Sequence, residues 1–160
     1  MKILRSRKKR IIVVSIIIVS LLILGVAYYC GTSYRNKSAD EINKEFLKKY
    51  GWENVTGGNL YNPRKLSMDY DLEKLKIEVS EKIGLEPKKY IGKILDVYSY
   101  NLGRNGDTQP LSATLLVYEK QIVCAYILHS EPKILIKYWP LNTSYTDIVN
   151  DIQKAKNNEK

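Results

Sequence analysis

The chain has 160 residues, 44% of them hydrophobic, and a formal net charge of +9 at pH 7. Two cysteines and one histidine exclude a disulfide-stapled fold and are too few for a Cys/His zinc centre. The charge does not single out a nucleic-acid partner. The first ten residues hold six Lys and Arg and no acid, so the other 20 basic residues face 17 acidic ones. Binding to nucleic acid requires a basic stripe on the folded domain.

From the N-terminus, residues 1–10 read as a cytoplasmic basic tail carrying Lys2, Arg5, Arg7, Lys8, Lys9 and Arg10. Residues 11–29 form an apolar run broken only by Ser15, Ser20 and Gly25. At 1.5 Å per residue such a run makes a helix of roughly 28 Å, close to the ~30 Å hydrocarbon core of a bilayer. The expectation is a transmembrane helix with membrane lipid as its partner along 11–29. The basic flank keeps the N-terminus cytoplasmic and the rest extracytoplasmic. Tyr28, Tyr29 and Tyr34 stand at the far end, where amphipathic rings favour the headgroup zone. A cleaved signal peptide is the rival. Gly25-Val26-Ala27 would serve as its cut site, although the apolar stretch exceeds the ~7–15 residues of such a leader. A lipoprotein reading requires a small residue before the modified cysteine, and Tyr29 precedes Cys30.

Residues 30–37 read as a polar tether. An extracytoplasmic domain over 38–157 follows, long enough for one core. Ser38-Ala-Asp-Glu41 reads as a capping box, and Ala39, Ile42, Phe46 and Tyr50 share one helical face. A helix over 39–50 is predicted, stopped by Gly51. Trp52 to Val55 reads as a possible start of a strand. Thr56-Gly57-Gly58-Asn59 reads as a turn. The segment 60–66 is ambiguous, and Pro63 confines any strand there to a sheet edge. Leu72, Leu75, Val79 and Ile83, spaced by three and four, predict an amphipathic helix over about 70–83 with that face inward.

Strands are predicted over 93–100, 112–118, 121–129 and 133–139, all rich in β-branched and aromatic residues. Short connections favour antiparallel neighbours. A last helix is expected over 145–156, capped by Ser144 and Asp147. The fold class is thus α+β: an N-terminal transmembrane helix, then two helices on one face of a four-stranded antiparallel sheet, with a possible C-terminal helix. Alternation places Leu95, Val97, Ala113, Leu115 and Val117 toward the helices. It places Asp96, Tyr98, Tyr100, Thr114 and Tyr118 on the other side. The segment 122–128 is apolar at nearly every position, which suits a central strand covered on both faces.

Several short strings carry a resemblance: Phe46-Leu-Lys-Lys-Tyr-Gly-Trp52, Gly84-Leu85, Tyr90-Ile-Gly-Lys93, Val97-Tyr-Ser-Tyr100 and Leu115-Leu-Val-Tyr118. Over roughly 40–130 the chain resembles the membrane-anchored proteins of low-GC Gram-positive bacteria catalogued as domain of unknown function 4830. It departs from them where Val123-Cys124-Ala125 stands in place of their Gly-Gly-Asp, and over 60–75. The resemblance implies an extracytoplasmic α+β domain and no activity.

The residues themselves supply no recognisable catalytic set, cofactor fingerprint or metal site. His129 and Cys124 differ by five along one strand and point to opposite faces unless a bulge intervenes. The glycines at 57–58 and 103–106 match no phosphate-binding fingerprint. The candidate partner-binding residues are tyrosines: Tyr98, Tyr100 and Tyr118, with Tyr126 and Tyr138. Their stiff rings and hydroxyls suit a peptide or glycan, and cross-strand packing is the competing use. The expectation is a cell-envelope binding module, with a membrane-proximal protein or a cell-wall component as partner. Two alternatives stand beside it. One is an envelope hydrolase using carboxylates (Asp69 with Asp71, or Asp96) or Cys124. The other is a secreted inhibitor-like domain released by cleavage at Ala27.

Overall fold

The computed structural model describes residues 18–22, 37–103, 111–129 and 137–158. The chain divides into two units, 1–38 and 39–160. In the first, residues 18–22 are helical, with Ile18, Val19, Leu21 and Leu22 exposed. The expected transmembrane helix is corrected here: among the described residues no helix is long and apolar enough to cross a membrane. Residues 11–17 and 23–29 of that run, and Cys30, lie outside the described residues.

The second unit begins with α1, Ala39–Lys48. Asp40 and Glu41 occupy its first turn and Lys48 its last, each sign matched to the nearer end of the helix dipole. Ile42 and Leu47 are buried. Gly51, at φ +86°, turns the chain out of the helix. Its N–H donates to Lys48 O at 3.0 Å and the Trp52 N–H to Leu47 O at 3.3 Å, a Schellman closure. Then come β1 (Thr56–Lys65), α2 (Asp71–Glu81), a 3-10 turn (Pro87–Tyr90), β2 (Ile94–Asn101), β3 (Leu111–Tyr118), β4 (Gln121–His129), β5 (Tyr138–Trp139) and α3 (Tyr145–Asn158). At the start of α3 the Asp147 N–H donates to Ser144 Oγ at 3.2 Å, the expected cap.

The sheet has five strands in the order β1-β2-β3-β4-β5, and every pair is antiparallel. The expected count of four is corrected by β1. Its Gly57-Gly58 was expected to turn. Instead it carries the strand through a register shift between Gly57 and Asn59. A second shift spans Asn62 and Pro63, where proline's missing N–H costs no ladder bond. Of the expected strand 133–139, β5 is the described part, and 130–136 lies outside the described residues.

The helices cover both faces of the sheet, which corrects the placement of two helices on one face. On the first face Tyr100, Ala113, Leu115, Val117, Ile122, Ala125, Ile127 and Trp139 pack with Leu47 of α1 and with Ile148 and Ile152 of α3. On the second, Leu95, Val97, Leu116, Val123, Cys124 and Tyr126 pack with Ile77 and Val79 of α2 and with Leu66. The expected faces were one residue out of register between strands. Tyr98 pairs with Leu115 and Tyr100 with Ala113, while Val97 pairs with Leu116. Directly paired residues share a face. In β4 a register shift opposite Leu116–Val117 sends Ile122 to the first face and puts both Val123 and Cys124 on the second. That irregularity lets a nearly continuous apolar run serve two cores.

The inward face of α2 also differs from expectation. Leu72 and Leu75 are 45% and 44% exposed, whereas Lys76, Ile77, Val79 and Ser80 are buried. Ser80 Oγ accepts from the Ala125 N–H at 3.0 Å and lies 2.7 Å from Lys76 O, to which it donates. A buried β4 amide is satisfied in this way, and an apolar residue there would leave it unpaired. Hydrogen bonding, not only apolar spacing, sets the rotation of α2.

Gly58 of β1 lies close to Asp40 of α1 and Tyr100 of β2. Its φ is +96°, and a Cβ there would run into Asp40 Oδ1 and, at 3.2 Å, Tyr100 Cε1. The Tyr100 hydroxyl donates to Asp40 Oδ1 at 3.1 Å. Gly58→Ala must adopt a left-handed conformation and push this contact apart, and is expected to destabilise the fold by about 2 kcal/mol. Urea unfolding at equilibrium checks this; an unchanged midpoint and slope would contradict the packing described.

Candidate binding cleft

An open cleft of about 420 Å³ is walled by three stretches. The first is Tyr50 to Val55, between α1 and β1; the second is Leu102, just past β2; the third is Asn142 to Tyr145, between β5 and α3. Gly51 is what makes the first wall: it ends α1 and throws Trp52 toward the 142–145 turn. The Trp52 Nε1–H donates to Leu141 O at 2.8 Å, stitching the two walls together. The Tyr50 hydroxyl donates to Ile83 O at 3.4 Å, and the Tyr50 ring meets Phe46 edge-on at 5.3 Å. Two of the three rings in the wall therefore have their polar ends committed inside the protein.

The other polar groups divide cleanly. Ser144 is committed to the helix cap, its hydroxyl donating to Asp147 Oδ2 at 2.7 Å. Glu53, Asn54, Asn142 and Thr143 make no side-chain bond among the described residues. Glu53, Asn54 and Asn142 are exposed and Thr143 is half-buried. The cleft thus offers apolar ring area, two amides, a hydroxyl and one carboxylate.

The five candidate tyrosines do not form one face. Tyr98 and Tyr100 belong to the first face, Tyr118, Tyr126 and Tyr138 to the second. Tyr100 and Tyr126 are only 0% and 3% exposed. Burial pushes the Tyr98, Tyr100 and Tyr126 hydroxyls above the ordinary tyrosine pKa, and Asp96 adds to this at Tyr98. Tyr126 and Tyr138 meet edge-on at 5.2 Å. Tyr118 lies against Tyr90 at 5.6 Å.

The second-face tyrosines surround charge. Lys76 Nζ lies 5.7 Å from the centre of the Tyr126 ring and 5.3 Å from that of Tyr138. It also donates to Glu73 Oε1 at 2.6 Å. Arg64 reaches the same carboxylate at 3.6 Å and donates through Nη2 to the Tyr126 hydroxyl at 3.2 Å. Two cations share one carboxylate, and the ring faces supply the remaining stabilisation. The amphipathic spacing of α2 gives no hint that a lysine would lie buried on its inward side.

Cys124 is fully buried, and its Sγ lies 3.1 Å from Ser80 Oγ. Burial pushes the thiol up to about 11, against a smaller downward pull from the Ser80 hydroxyl. A thiolate nucleophile is disfavoured there. The β4 irregularity precedes Cys124, and pairing from Cys124 to His129 is regular, so His129 faces away from the thiol. Among the candidate carboxylates, Asp69 accepts from Ser67, Asp71 pairs with Lys74 at 3.0 Å, and Asp96 is exposed on β2. Among the described residues no group of three or more His, Cys, Asp or Glu could hold a metal ion.

No family model matches the chain, and neither a curated protein nor a solved structure does.

No motif in the sequence marks the cleft. Its walls are two short loops that look like ordinary turns, 89 residues apart at the Trp52–Leu141 bond. The available signal was the pairing of an aromatic with an amide in each loop: Trp52 with Asn54, and Tyr145 with Asn142.

The Cys124 environment has a pH signature. The folded state holds the thiol proton more tightly than the unfolded chain, so this contribution is fully present below pH 9 and is lost as the pH rises toward about 11. The stability difference between wild type and Cys124→Ala should therefore fall over that interval, by an amount on the order of 2 kcal/mol. Unfolding curves at paired pH values measure it; a difference flat with pH would contradict a buried neutral thiol.

Proposed function

We propose that this protein is a non-catalytic interaction module of the bacterial cell envelope. It is held at the cell membrane through its apolar 11–29 run, with the N-terminus cytoplasmic and the α+β domain extracytoplasmic. Its partner is a membrane-proximal protein or a cell-wall component. One observation carries the binding role: a cleft that joins three aromatic rings to four polar side chains that make no side-chain bond among the described residues. Open clefts lined by rings and a few convergent polar groups are the usual form of ligand sites. The six basic residues before an apolar stretch support the compartment, since short basic flanks stay in the cytoplasm. The burial of Cys124 and its separation from His129 favour binding over thiol chemistry.

Two measurements test this reading. In cells, the full chain should stay in the membrane pellet after an alkaline wash, and protease added to intact protoplasts should remove a C-terminal tag. A protected tag would refute the compartment. A photo-crosslinking residue at Asn54 should capture envelope material that one at Glu119, in the exposed β3–β4 turn, does not. Equal capture at both positions, or none at either, would refute the binding role of the cleft.

A further inference from the structure

We infer that the cleft takes a neutral oligosaccharide; this rests on the reading of the domain as a binding module and specifies its ligand. Three features narrow the chemistry. Tyr50, Trp52 and Tyr145 contribute ring surface to the wall, and the Trp52 N–H and Tyr50 hydroxyl are already spent on Leu141 O and Ile83 O. These two rings are held by bonds at their rims, so they meet a ligand chiefly as apolar platforms. A pyranose offers a matching apolar C–H face.

The unspent groups are the second feature. Asn54 and Asn142 each carry a paired donor and acceptor, and Thr143 adds a hydroxyl. Vicinal sugar hydroxyls, each both donor and acceptor, satisfy such amides two bonds at a time. A hydrocarbon ligand would instead bury them unpaired, at a cost of roughly 1–3 kcal/mol each.

Charge is the third. Among the described residues the lining contains no Lys or Arg, and its one carboxylate is that of Glu53. Phosphate and carboxylate ligands, which are held by Arg forks or Lys, find no counter-charge there. A cationic peptide is the competing class, because it would pair with Glu53. The carboxylate is exposed, however, and exposed ion pairs contribute little, whereas three aromatic residues and two side-chain amides line the same cleft. The open form of the cleft suits a segment of a longer chain as well as a free end.

The test uses the full chain in detergent micelles, followed by intrinsic tryptophan emission and titration calorimetry. The probes are the β-1,4-linked tetramers of glucose and of N-acetylglucosamine, with tetralysine as the competing class. Saturable binding of either sugar is expected. It should weaken about tenfold in the Asn54→Ala/Asn142→Ala double variant and be unchanged in Glu119→Gln, on the exposed β3–β4 turn outside the cleft lining. Both sets of substitutions lie on exposed side chains, and unchanged circular dichroism confirms that the fold persists. Tetralysine binding abolished by Glu53→Gln, without sugar binding, would overturn the ligand class and leave the module reading standing. Sugar binding indifferent to the double variant would overturn the assignment to this cleft. Silence with every probe would overturn the ligand class, and the Asn54 crosslink then decides separately whether the domain binds anything at all.

Discussion

The β3–β4 pair is apolar on both sides, and that one circumstance shapes the rest of the domain. Leu115, Val117, Ala125 and Ile127 point one way; Leu116, Val123, Cys124 and Tyr126 point the other. Each large side chain taken from water contributes roughly 1.5–3 kcal/mol, so neither side can be left wet. Helices α1 and α3 close the first side and α2 closes the second. The order of elements along the chain follows: one helix before β1, one between β1 and β2, one after β5.

Covering two sides requires the layers to be keyed to one another, and polar contacts do much of the keying. Ser80 ties α2 to the β4 backbone. On the other side the Asp40–Tyr100 hydrogen bond fits beside Gly58. At the far end of the sheet Asp151 of α3 accepts from the Trp139 Nε1–H at 3.1 Å and from Lys137 at 2.7 Å. These donors hold the Asp151 carboxyl below its ordinary pKa, Lys137 first and Trp139 next. Directional bonds of this kind add little net energy apiece, but the Ser80 contacts are buried, where leaving them unmade is expensive, and this favours a single placement of α2 over sliding ones.

Local chemistry made much of this readable in advance. The extents of α1, α2 and α3 follow from apolar spacing with Gly51, Gly84 and Ser144 as punctuation, and β2, β3 and β4 from their β-branched content. What escaped was relational. The register of β2 on β3 is not written in either strand, and an error of one residue exchanges the two faces; hence the tyrosines were grouped together when the sheet divides them. The β4 irregularity has no marker in Gln121-Ile-Val-Cys124. Gly57-Gly58 has the composition of a turn, yet serves a strand because Asp40 and Tyr100 crowd in from outside. Leu72 and Leu75 fit a helical stripe that Ser80 and Lys76 displace. The cleft unites loops distant in the chain, so neither loop alone betrays it.

The two margins of the sheet share a property that bears on how copies of this protein coexist. At one margin β1 is kinked twice, once at its glycines and once at Asn62–Pro63; at the other β5 is only two residues long. Among the described residues neither of these two strands presents the long straight run of unsatisfied amides and carbonyls that lets a foreign chain zip on. Along these two strands, neighbours crowded side by side find little straight ladder to extend, so selectivity in recognition there falls to side chains, and fibrous self-association through them is discouraged by the shape of the rims.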